Sequence, residues 1–215
     1  AMAGACLRAA AGGADPEPDL ALVNYLSALA RAGVADPALF RALLESQAPG
    51  NADQALEAIV GLMVDKFDAL GSSGSFTADG ISFPYRRKCW CLFLLATLGQ
   101  NPNSEMWLLF SQILNLCLDV KCELEAPGGG GSSKPSSFLD FADDFENIQP
   151  ADEEEVNKIE ELLREQLPSD PVYTTDLLQF IRGQVHACAV HVGQDQIQDR
   201  INNVEPALLK QLGLS

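Results

Sequence analysis

Apolar side chains recur three and four positions apart along most of the chain, the spacing that puts them on one face of an α-helix. Leu22, Val23, Leu26, Leu29 and Ala30 form the first stripe, opened by Asp19 as a cap and closed at Gly33. Asp36-Pro37 predicts a second start, because proline at the first helical position gives up an N–H that has no partner there. Its apolar face is Leu39, Phe40, Leu43 and Leu44, and Pro49-Gly50 stops it. Asn51, with Gln54 three residues on, predicts a capped third helix. That helix buries Leu56, Ile59, Val60, Met63, Phe67 and Leu70 before Gly71.

Residues 71–83 read as a loop, in which Asp79-Gly80 can close at most a tiny hairpin near 76–83. Pro84 starts a fourth helix. From Cys89 to Leu98 it is apolar on all sides, and a helix of that kind must be covered on all sides. After a break at Gly99 to Asn103, Ser104 caps a fifth helix that is nearly all apolar from Met106 to Val120. The one-faced helices before them can supply the cover.

Residues 126–137 hold a four-glycine run, serines and prolines, a composition that buries nothing and behaves as a flexible linker. It also resembles an engineered fusion tether, so two readings stand: one natural polypeptide, or two natural partners joined to hold a complex together. Beyond it, Asp152 and Glu155 box the start of a helix with face Val156, Ile159, Leu162 and Leu163. Thr174 or Thr175 caps the next, which turns Leu177, Leu178, Ile181, Val185, Cys188 and Val192 inward. Gly193 breaks it, a short helix follows around Ile197 and Ile201, and Pro206 starts a last one.

The expected organisation is a mobile N-terminus at 1–18, a helical domain at 19–125, the linker at 126–137 and an acidic helical segment at 138–215. The expected fold is all-α, an irregular antiparallel bundle or a short helical stack. No fixed-period repeat aligns residue by residue. The succession of short-looped helices resembles HEAT, armadillo and MIF4G-type domains in style, and no residue roles follow from that likeness.

Charge narrows the partners. The formal net charge is -16, from 14 Lys and Arg against 30 Asp and Glu. Such a surface repels phosphate backbones and anionic membranes, which excludes direct nucleic-acid binding and favours proteins with neutral or basic faces. Arg86-Arg87-Lys88 is the one basic cluster and is expected to be a solvated helix start. No stretch reaches the roughly 20 apolar residues a bilayer span needs. No charged segment followed by an apolar run opens the chain. Five of the six cysteines fall inside apolar helical patterns, as reduced thiols of a cytosolic or nuclear protein would.

Catalysis, metal and cofactor binding find no motif. His186, Cys188 and His191 sit two and five apart on one helix and so diverge. Cys89 and Cys91 diverge likewise, and Trp90 and Trp107 lie among aliphatics as core residues. The glycine run Gly128 to Gly131 lacks the lysine of a phosphate loop. The sharpest candidate is a docking helix: Phe138, Phe141, Phe145 and Ile148 share a stripe with carboxylates between them, and Leu139 joins them as an expected partner-binding residue. It serves either as a partner-binding segment or as an ordinary first helix of the C-terminal half, packed within the chain or against residues 19–125. The expected function is a non-enzymatic scaffold or adaptor subunit that binds other proteins. The alternative is a non-catalytic regulatory subunit of a helicase, nuclease or kinase.

Overall fold

The computed structural model describes residues 2–11, 19–70, 83–100, 105–125 and 169–204, with Pro206, Leu209 and Lys210. In chain order its helices are α1 (Met2–Ala10), α2 (Asp19–Ala35), α3 (Pro37–Gln47), α4 (Ala52–Asp65), α5 (Phe83–Gln100) and α6 (Phe110–Glu125). After residue 168 come α7 (Pro171–Thr174), α8 (Leu177–Val192) and α9 (Gln194–Ile201). Short 3₁₀ turns follow α4 (Phe67–Leu70) and precede α6 (Glu105–Leu109). There is no strand among the described residues, and the fold is all-α. The hairpin expected near 76–83 and the helix over 152–163 lie outside these residues, except that Phe83 opens α5.

The architecture is organised around α5. From Cys89 to Leu98 every residue but Ala96 is buried, and α2, α6, α7, α8 and the turn at 67–70 all pack on it. Each large apolar side chain so covered contributes roughly 1.5–3 kcal/mol relative to exposure. That is why a helix without a polar face settles at the centre. The stripe predicted on α2 is the buried one, Leu22, Val23, Leu26, Leu29 and Ala30, and so is the stripe on α4 and the turn after it. α6 is less enclosed than expected. It buries Phe110, Ile113, Leu114, Cys117, Leu118 and Val120, while Gln112 and Asp119 face water.

Residues from both sides of the 126–137 segment share one core. Val172, Leu177, Ile181, Val185 and Cys188 join the same cluster as Trp90, Leu94 and Ile113, and the Ser111 hydroxyl donates to the Arg200 carbonyl at 2.7 Å. Two glycines mark close approaches. A Cβ on Gly33 would run into the Phe93 ring, and one on Gly99 would run into Gln184 Oε1. Gly33 therefore lets α2 sit down on α5. It does not end α2, which runs on to Ala35.

Several local expectations need correction. Residues 2–10 form α1 rather than a mobile end, packed on α2 and α4 with Cys6 fully buried. Alanine is the best helix former, and small side chains allow that close seat. Leu39 and Leu43 do not share the buried face of α3. They are 66% and 37% exposed, and only Phe40 and Leu44 turn inward. Asn51 stands at the N-cap of α4 but its side chain makes no capping bond. The cap of α8 is Asp176, whose Oδ1 accepts from the Gln179 N–H at 2.8 Å, in place of Thr174 or Thr175. α3 starts at Asp36-Pro37 as predicted, and Asp36 caps it by accepting from Leu39 N–H at 2.9 Å.

Candidate interaction surfaces

The basic triplet at the start of α5 was expected in water and is found inside. Arg86, Arg87 and Lys88 are all buried. The two guanidinium groups are held by neighbouring helices. Arg86 donates through Nε to Ser27 Oγ at 2.9 Å and through Nη2 to Asn24 Oδ1, both on α2. Ser27 Oγ also accepts from Trp90 Nε1 at 3.0 Å and donates to the Val23 carbonyl at 2.7 Å. Arg87 pairs with Glu123 of α6, and its guanidinium lies 4.9 Å from the Phe67 ring centre. The reason is geometric: a helix wrapped by five neighbours leaves no solvent for its first turns, so long cationic side chains must find partners in the walls.

Lys88 faces the C-terminal half. Its Nζ stands 5.8 Å from the Tyr85 ring centre. Burial pushes its pKa down, while the carboxylates of Asp176 and Asp170 pull it back up. Asp170 is the hub of this contact. Its Oδ1 caps α7 by accepting from Val172 N–H at 2.9 Å, and its Oδ2 pairs with Arg31 of α2. Its carbonyl accepts from Tyr173 N–H, Thr174 N–H and Thr174 Oγ1, each at 3.0 Å. Tyr173 in turn packs on Tyr85 with the rings tilted by 31° and their centres 4.6 Å apart. Between Arg31, Val34 and Ala35 of α2 and Ser169, Asp170 and Pro171 lies a shallow cleft of about 270 Å³. These groups clamp the C-terminal helices onto α2 and α5.

Two surface features remain. A slot of about 200 Å³ opens between α3 and the end of α5, floored by Phe40, Leu44, Leu56 and Phe93 with Arg41 and Gln100 among its walls. Phe40 and Phe93 meet edge to face at 5.2 Å. Leu39 and Leu43 stand out on the other flank of α3, since at 100° per residue they point away from Pro37 and Arg41. The slot and the exposed leucines are therefore separate features.

The sequence-predicted chemistry is dispersed. His186 and His191 face solvent and Cys188 is buried, so the three do not converge. Burial pushes the thiols of Cys6, Cys89 and Cys188 up to about 11, with the Arg31 guanidinium working against burial at Cys89. They are neutral packing groups at neutral pH rather than nucleophiles. Trp90 and Trp107 are core residues, Trp107 stacked on Phe110 at 5.1 Å. Phe138, Leu139, Phe141, Phe145 and Ile148 lie outside the described residues. Sequence reasoning missed the Asp170 hub, whose signal was its place before Pro171, the same Asp-Pro start read correctly at Asp36-Pro37.

Among the described residues no helix is long and apolar enough to cross a membrane. Comparison with curated proteins and with solved structures finds no match. Comparison with family models finds one described as Importin-11-like, TPR repeats, which matches residues 7–214. A family of stacked helical repeats fits the all-α stack, and the unequal lengths of α2, α3, α4 and α5 explain why no fixed period shows in the sequence. With almost its whole length aligned, the chain belongs to the Importin-11-like, TPR-repeat family.

Proposed function

We propose that this chain is a protein-interaction module of an importin-like protein, a scaffold that recognises partners with basic or neutral faces in a nucleocytoplasmic setting. The observation that carries this reading is the family match over residues 7–214 on a fold made of stacked helices and buried thiols. Stacked helical repeats bind through extended surfaces rather than through a reaction centre. That the match runs through residues 126–137 favours one natural polypeptide over a tethered pair.

Charge says where recognition concentrates. Within the described stack Arg86 and Arg87 are buried on partners from α2 and α6, and Arg31 pairs with Asp170 at its edge. Residues 138–165 carry eleven carboxylates against Lys158 and Arg164 alone, which is more than half of the net charge of -16. A segment so acidic steers basic partners, and Phe138, Leu139, Phe141, Phe145 and Ile148 supply the apolar anchors that hold them once they arrive.

The test is affinity capture from cytosolic and nuclear extracts at low and at high salt. The expected result is a set of basic proteins retained by the full chain, weakened by salt and lost with Phe141→Ala plus Phe145→Ala. Retention of the same proteins by a double variant with unchanged helicity would remove the docking role. Retention of nothing beyond a blank matrix would remove the module reading itself.

A further inference from the structure

We draw no further inference here: the strongest candidate, the apolar flank of α3 formed by Leu39 and Leu43 beside the Phe40–Phe93 slot, is an unpartnered face, and nothing in the structure shows what covers it.

Discussion

Asp170 joins the C-terminal helices to the rest of the stack, and replacing it separates the forces at that joint. Asp170→Ala removes the Oδ1 that caps Val172 N–H, a loss of about 1 kcal/mol. It also removes the Oδ2 that meets Arg31. That pair is half in water, with the Arg31 side chain 49% exposed, so solvent screening holds it to about 0.5–1 kcal/mol. Lys88, only 6% exposed, loses one of the two carboxylates that offset its desolvation, adding roughly another 0.5–1 kcal/mol. The sum is about 2–3 kcal/mol. Asp170→Asn keeps a competent cap and removes only the charge, so its cost is about 1–2 kcal/mol. Urea unfolding followed by far-ultraviolet circular dichroism and by Trp90 and Trp107 fluorescence reads both variants against the parent. If Asn costs as much as Ala, the cap contributes nothing. If both fall within about 0.5 kcal/mol of the parent, in the range of ordinary surface substitutions, Asp170 is no hub.

Three further outcomes test other parts of the packing. Gly33→Ala drives a Cβ into the Phe93 ring and destabilises by about 1–2 kcal/mol after the gain in helix propensity, whereas Gly61→Ala, with nothing within 4 Å of its Cβ, stabilises by up to about 1 kcal/mol in the same denaturation assay. Ser27→Ala leaves the buried donors of Arg86 and Trp90 without their shared acceptor and costs about 2–3 kcal/mol, measured as a fall in the urea midpoint at constant slope. The pH dependence follows from the thiols, whose folded pKa near 11 lies above the unfolded value. The folded state then binds more protons between pH 9 and 11, so stability is full below 9 and falls above it, by about 1.4 kcal/mol per thiol at pH 10. Cys188→Ala flattens that decline relative to the parent, and an unchanged decline refutes the assignment for Cys188.

How much of this was legible in the sequence depends on whether a residue's fate is set locally. The apolar stripes of α2 and α4 and the enveloped run in α5 were legible, because periodicity alone says how many sides a helix must cover. The start of α3 at Asp36-Pro37 was legible because the signal, a proline at the first helical position, is local. Arg86, Arg87 and Lys88 were not, since their burial depends on Asn24, Ser27, Glu123, Asp170 and Asp176 from distant parts of the chain. Gly33 was misassigned because glycine gives the same signal for a helix end and for a close crossing, and only the position of Phe93 separates the two. Leu39 looked like core for the opposite reason: helical spacing shows that leucines share a side but not that a neighbour exists to meet them. The tryptophans and five of the six cysteines were legible as packing groups from their apolar neighbours, and they are buried.

The common core of Trp90, Ile113, Ile181 and Cys188 also bears on regulation. Helices before and after the glycine-rich stretch share that core, so in a two-state unfolding a ligand held by either part stabilises both. A partner present at a hundred times its dissociation constant adds about 2.7 kcal/mol to the folded state. For amides that exchange through global unfolding, that increment reaches α1 as much as α9, making occupancy at one end measurable as slowed hydrogen exchange at the other.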